Sequence, residues 1–401
     1  MKKLKIIVIR EGKIPHDKRV PLAPMQIVSL QKMYPQIEVL VQPSPWRSIP
    51  DVEYEVAGIK VTDAIADGDI FLGIKEVPVA ELIEGKQYLF FSHTIKKQQH
   101  NKKLMLAFIA QKIQMIDYEC LVDDKENRII GFGRYAGLVG AYNTIRAYGL
   151  KYKKFKIKPA QDCEHKAELE RELKKAKLPN LKILITGGGR VANGAIEIMG
   201  TMKIRRVTPY EFLMFPFNEP VYAQLHSSDY HYHPNKTGWV NEHFHNHAEQ
   251  YASAFRKFTE KCDVLLHCAY WNPKAPKLFS LDEMADPKFK IKVIGDITCD
   301  IDGSIPSTTR ATTIENPYMD YNPQTKLAEN GLHEHTITTM AVDNLPCSLP
   351  RDASENFGQE LIEKVLPLLI NEPNNDLILR ASITKNGKLT KRYQYLQDYA
   401  T

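Results

Sequence analysis

Three side chains stand where apolar runs give out: Lys75 after Ile70-Phe71-Leu72-Gly73-Ile74, His93 after Leu89-Phe90-Phe91, and Arg19 in Lys18-Arg19-Val20-Pro21. An amine or imidazole at the end of a buried strand has its pKa pulled down by desolvation and by like charge, which suits general acid or base work near neutral pH. An arginine there can grip a carboxylate at two points. Each fits a structural ion pair equally well when taken singly. Four such pieces, at 18–24, 73–78, 91–96 and Asp117-Tyr118-Glu119, close strands on what should be one edge, and that convergence points to a site.

A second stretch with chemistry in it is Lys182-Ile183-Leu184-Ile185-Thr186-Gly187-Gly188-Gly189-Arg190-Val191-Ala192. It reads as a buried strand, a glycine turn and a helix start, the opening of a dinucleotide-binding unit. Gly187 makes the tight turn, Gly189 lets backbone approach a pyrophosphate, and Ala192 allows the helix close to the strand. Gly187, Gly188, Gly189, Arg190 and Val191 then offer backbone N–H groups to the phosphates. Glu211 lies near the spacing of an acid that binds ribose hydroxyls, which favours NAD(H). Arg205 and Arg206 stand close enough to compete for a 2′-phosphate, so NADP(H) stays open.

The elements that must position these groups follow from the rest of the chain. Its 401 residues are 43% hydrophobic and 25% charged, enough for two globular domains. A net charge of +6 is spread among interspersed acids, and no basic stripe with stacking aromatics is present, so nucleic acid is not an expected partner. Six scattered cysteines without a C-x-x-C pair suit reduced thiols, and no apolar run approaches a membrane helix or signal peptide. The expectation is a cytoplasmic protein that uses neither membrane nor resident metal, with oligomeric state left open.

Strands near 5–9, 38–41, 69–74, 87–91 and 115–118 alternate with helices near 24–33, 51–57 and 97–112, a parallel α/β rhythm. Glycines at 131–137 read as a flexible passage into a small-residue helix, 138–148. Strands near 263–267 and 292–296 resume the alternation after the glycine turn. The expected fold is α/β: two Rossmann-like, doubly wound parallel-sheet domains with a cleft between them. Residues 1–132 plus 338–401 form the substrate domain, and 133–337 the dinucleotide domain. Residues 215–247 hold prolines, aromatics and six of the thirteen histidines, and read as an inserted loop or lid. Its His-x-His pairs are broken by Pro234 and Gly238, which argues against a metal site.

The pieces 18–24, 73–78 and 92–96, with Phe132-Gly133-Arg134-Tyr135-Ala136-Gly137, resemble the alanine dehydrogenase and transhydrogenase superfamily. Within it, Asp117-Tyr118-Glu119, Asp343-Asn344-Leu345-Pro346-Cys347-Ser348-Leu349-Pro350-Arg351 and Asp352-Ala353-Ser354-Glu355-Asn356-Phe357 look most like lysine-forming, NAD-dependent saccharopine dehydrogenases. The resemblance spans about 4–370, interrupted at 215–247, and leaves the tail 374–401 unmatched. It implies an oxidoreductase that splits saccharopine into lysine and 2-oxoglutarate by hydride transfer and imine hydrolysis. It further implies Lys75 and His93 as the acid–base pair, Arg19 and Lys96 on substrate carboxylates, and Glu119 tuning their charge. Arg134 and Asp343 would line the substrate or cofactor cleft, and Asp300 matches an acid that is catalytic in the alanine branch. An alanine dehydrogenase-type enzyme is thus the neighbouring reading, supported by Asp300 and opposed by the block 343–357.

Overall fold

The computed structural model describes residues 3–12, 14–235 and 238–401. In chain order its strands are β1 (Leu4–Val8), β2 (Ile37–Val41), β3 (Ile70–Leu72), β4 (Gln87–Phe90), β5 (Gln114–Asp117), β6 (Lys182–Thr186), β7 (Arg205–Arg206), β8 (Val221–Leu225), β9 (His231–Tyr232), β10 (Ala252–Ser253), β11 (Val264–His267), β12 (Val293–Asp296), β13 (Tyr318–Asn322), β14 (Leu327–Glu329), β15 (Ile337–Met340), β16 (Ser382–Lys385) and β17 (Lys388–Leu389).

The first unit, 1–132 with 350–401, holds one sheet in the order β17-β16-β5-β4-β3-β1-β2. Its five leading strands are parallel, and β16 and β17 add an antiparallel edge. The chain goes from β1 outward to β2, then crosses back to β3 on the other side, so a switch point opens at the carboxyl ends of β1 and β3. Near-continuous apolar strands such as Ile6-Ile7-Val8 and Ile70-Phe71-Leu72 are fully buried, as parallel strands covered on both faces require. Pro24 opens the helix Pro24–Met33, where Gln26 reaches back to the Ala23 N–H at 2.9 Å. The tail lacking a match in sequence completes this sheet: Asp376–Ala381 is helical, and β16 pairs with β5.

The second unit, 133–349, holds a sheet in the order β14-β13-β15-β12-β11-β6-β8-β7, parallel from β15 to β7. Three expectations change here. The glycine passage read at 131–137 is helical from Gly133 on: Gly133–Lys151 is one helix of 19 residues. It packs so closely on the helix Arg190–Thr201 that a Cβ at Gly194 would lie 1.9 Å from the Arg134 carbonyl oxygen. The lid begins later than 215, because β8 is a buried strand hydrogen-bonded between β6 and β7; Pro216 and Pro220 mask it in sequence. The return to the first unit falls at Pro350 rather than 338, because β15 pairs with β12 and β13 and keeps 338–349 in the second sheet. Beyond β8, Phe244, Ala248, Tyr251 and Ala275 form a small core of their own, with Trp239 and Trp271 against it. Among the described residues no helix is long and apolar enough to cross a membrane.

Candidate functional site

Four loops leave the carboxyl ends of β1, β3, β4 and β5 in the first unit, and acids stitch them together. Glu11, just past β1, accepts the backbone N–H of Ile74 at 2.6 Å and of Lys75 at 2.8 Å, which fixes the turn that carries Lys75. Burial, with the Asp17 carboxylate nearby, outweighs those two bonds and pushes its carboxyl up to about 8. Glu76 meets His93 Nδ1 at 2.8 Å, joining the β3 loop to the β4 loop. Asp117, at the end of β5, accepts from Ser92 N–H at 3.0 Å, from Ser92 Oγ at 2.5 Å and from Glu119 N–H at 2.7 Å. Burial raises its carboxyl above the ordinary range.

Those bonds hold His93 in a left-handed conformation, φ 54°. A histidine there is strained by about 1–2 kcal/mol, a cost met by the bonds on either side and typical of residues placed for function. Glu119 binds Arg128 and, at 3.4 Å, Lys96, while its other oxygen and the Tyr118 hydroxyl are buried without hydrogen-bond partners. Orphaned polar atoms at a strand edge are what a polar ligand would satisfy.

Arg19 is paired within its own loop. Its Nε and Nη2 bind Asp17 at 2.9 and 2.6 Å, the pair is buried, and the guanidinium lies 4.1 Å over the Phe132 ring. The edge read as a two-point clamp is therefore taken by Asp17. Lys75, His93, Arg19, Lys96 and Glu119 all stand on this edge of the first sheet. Sequence reasoning gave no role to Glu11, Asp17, Glu76 or Asp117, three of them within or beside pieces it singled out.

The glycine turn lies at the switch point of the second sheet, where β6 is flanked by β8 and β11. Gly187 takes φ +93°, and a Cβ there would lie 3.0 Å from the Ala269 Cα, so glycine is required. A Cβ at Gly189 would meet nothing within 4 Å, leaving an open face where Arg190 and Val191 begin a helix of 12 residues. That cradle fits a pyrophosphate. Below it, Thr186 Oγ1 meets His267 Nδ1 at 2.8 Å, and His267 Nε2 meets Ser304 at 2.6 Å. Burial pushes His267 down to about 4, so the ring is neutral. Gln224 donates to the Gly187 carbonyl at 2.9 Å and accepts from Arg206 Nη2 at 2.8 Å, beside a cavity of about 370 Å³ lined by Arg206, Thr208, Glu211 and Gln224.

Other expected residues are placed elsewhere. Glu211 follows the outermost strand β7, and its Oε2 accepts from Thr208 N–H at 2.8 Å and Thr208 Oγ1 at 2.9 Å, capping a short helix. Arg134 is held by Glu197 at 2.9 and 3.0 Å, a bond between two helices of the second unit. Asp300 and Asp343 are exposed on loops after β12 and β15. The acid at the end of β12 is Asp296, buried and bonded by Thr298 at 2.8 Å and Thr308 at 2.6 Å. Among the described residues no three His, Cys, Asp or Glu side chains converge as a metal site would require.

Residues 7–139 match the family described as "Alanine dehydrogenase/PNT, N-terminal domain". The resemblance is thus confined to this segment, about a third of the chain. The matched segment begins within β1 and contains β2 to β5 and the loops that bear Lys75, His93, Lys96 and Glu119. Over 97% of its length the chain is 29% identical to the alpha-aminoadipic semialdehyde synthase of Mus musculus, of which it covers 47%. It thus spans about half the length of the first curated relatives it matches. Over 82% it is 24% identical to the saccharopine dehydrogenase [NAD(+), L-lysine-forming] of Schizosaccharomyces pombe, of which it covers 84%. Among solved structures, an L-alanine dehydrogenase aligns with a TM-score of 0.64 at 14% identity, covering 98% of each chain. A transhydrogenase from Sinorhizobium meliloti aligns at 0.58 and 16%, covering 96% of this chain and 98% of its own. Both likenesses are of fold: α/β, with Rossmann-like parallel sheets.

Proposed function

We propose that the chain is a nicotinamide-dinucleotide-dependent amino acid oxidoreductase acting on a secondary amine, and that it splits saccharopine with NAD and water into lysine, 2-oxoglutarate and NADH. The observation that carries this reading is the acid-stitched edge of the first unit, where Lys75 and His93 stand on adjacent loops with carboxylates against both loops. The names of the relatives, saccharopine dehydrogenase among them, supply the substrate class.

In this reading Gly187, Gly188, Gly189, Arg190 and Val191 hold the dinucleotide, which when bound accepts hydride from the carbon bearing the substrate nitrogen. Lys75 and His93 take the amine proton, and then return and remove protons as water adds to the imine and the carbon–nitrogen bond breaks. Glu76, bonded to the His93 ring, orients it, and Glu119 holds the Lys96 side chain where a substrate carboxylate would meet it. Asp300, Asp343 and Arg134 stay assigned to the substrate and cofactor only through the resemblance. Preference for NAD(H) rests on Glu211, whose capping role weakens that support. Cytoplasmic residence belongs to the same reading, supported by six unbridged thiols.

The test is oxidation of NADH with 2-oxoglutarate, with and without lysine, and separately with pyruvate and ammonium, each repeated with NADPH. Turnover that requires both lysine and 2-oxoglutarate is expected. Turnover with pyruvate and ammonium moves the chain to the alanine branch. Lys75→Met should lower kcat by about 10²–10⁴-fold while dinucleotide binding persists; an unchanged kcat sinks the assignment.

A further inference from the structure

In doubly wound sheets the side chain that meets the adenosine ribose stands at the end of the strand beside the glycine-turn strand, usually about twenty residues on. Here those two descriptions part company. The chain about twenty residues past the turn forms β7, which lies on the outer edge, and the strand beside β6 is β8. Strand β8 pairs with β6 residue for residue, from Val221 opposite Lys182 to Leu225 opposite Thr186, and the Gly187 N–H donates to the Leu225 carbonyl at 2.7 Å. The next residue, His226, therefore falls level with the glycine turn. A Cβ at Gly188 would lie 2.8 Å from its Cε1 and 3.1 Å from its Nδ1, so the imidazole rests on the turn itself.

We propose that His226, in place of Glu211, reads the adenosine ribose of the bound dinucleotide. The proposal rests on the dinucleotide reading of the glycine turn. Glu211 sits beyond β7 with one carboxylate oxygen committed to its helix cap, whereas His226 is exposed at the turn. The neighbouring Asp229 carboxylate is engaged by the His226 backbone N–H at 2.7 Å. An imidazole can exchange a hydrogen bond with a ribose hydroxyl, and it lacks the negative charge by which an acid at this place rejects a 2′-phosphate. Arg206 is anchored nearby through Gln224, which bonds the same turn. The site described by these residues admits a phosphorylated ribose.

The experiment titrates NADH and NADPH against the full chain without substrate, following nicotinamide fluorescence, for the wild type, His226→Asp, His226→Asn and Glu211→Gln. The wild type is expected to bind NADH and to admit NADPH as well. His226→Asp should shift the ratio towards NADH by about tenfold or more, since an introduced carboxylate would face the 2′-phosphate. His226→Asn, which keeps a hydrogen-bonding group without negative charge, and Glu211→Gln should each leave the ratio within about twofold of the wild type. A ratio moved by Glu211→Gln and not by His226→Asp overturns the proposal, as does a ratio moved equally by His226→Asn. Failure of the wild type to bind either dinucleotide overturns the reading of the glycine turn, and His226 falls with it; binding of both with an unaltered ratio in His226→Asp overturns His226 alone.

Discussion

A carboxyl buried at a strand end persists only if its surroundings donate to it, and Glu11 does so by pinning the turn that carries Lys75. Its ionisation should be visible in stability. The unfolded chain ionises Glu11 at the ordinary 4.5, whereas the folded chain keeps its proton until about 8. Between those values the folded state binds more protons, so stability falls as pH rises, by up to about 1.4 kcal/mol per pH unit. Buried His267 acts with the opposite sign: the unfolded chain protonates it below 6.5 and the folded chain only near 4, so its contribution is lost as pH falls through that window. Urea unfolding of wild type and Glu11→Gln at several pH values isolates the carboxyl. The difference between them should slope towards the variant as pH rises from about 4.5 to 8 and level off above; a flat difference would mean that Glu11 stays ionised. Lys75 and His93 were legible in sequence because a charge interrupts an apolar run. Glu11 was not, because its partners are backbone N–H groups, which leave no mark on residue type. The same holds for Asp117, which spends two of its three hydrogen bonds on backbone.

Elements with unbroken apolar periodicity emerged where the sequence placed them: the helix Pro24–Met33, and the strands β1 and β4 to within a residue. Those with mixed signals did not. Glycines at 131–137 read as a flexible passage, yet Gly133 and Gly137 serve here to let two helices touch. Gly194 on the facing helix makes the point testable. An alanine in mid-helix ordinarily gains about 1 kcal/mol over glycine. At Gly194 the added methyl would sit 1.9 Å from the Arg134 carbonyl oxygen and 2.8 Å from the Leu138 nitrogen, so backbone must move. Overpacking of that kind costs about 1–3 kcal/mol, more than the propensity gain. Gly194→Ala should therefore lower the unfolding midpoint. Gly200→Ala in the same helix, where a Cβ meets nothing within 4 Å, should raise it. Equal effects at the two positions would show that the helix contact does not constrain the fold.

At the scale of the whole chain the two units differ in how they are threaded. The second is continuous, 133–349, whereas the first is built from both ends of the sequence. Its last contribution, β16 against β5, brings residues more than 260 apart into one sheet, since Thr384 Oγ1 donates to the Ile113 carbonyl at 2.8 Å across 271 positions. No local pattern announces such a pairing, which is why the sequence assigns the tail to the first domain without showing the strand it pairs with. The partners that shape the glycine turn lie inside the second unit: Leu225 and Gln224 bond Gly187, Ala269 crowds it, and His226 rests on Gly188. Thr186, His267 and Ser304, which brace the strand below, lie there too. A fragment of residues 133–349 should accordingly unfold as one cooperative transition and bind NADH within a few fold of the full chain. Calorimetry and a fluorescence titration of the fragment measure both. A fragment that folds yet binds more than about tenfold (about 1.4 kcal/mol) more weakly would place part of the dinucleotide's binding energy on residues of the first unit.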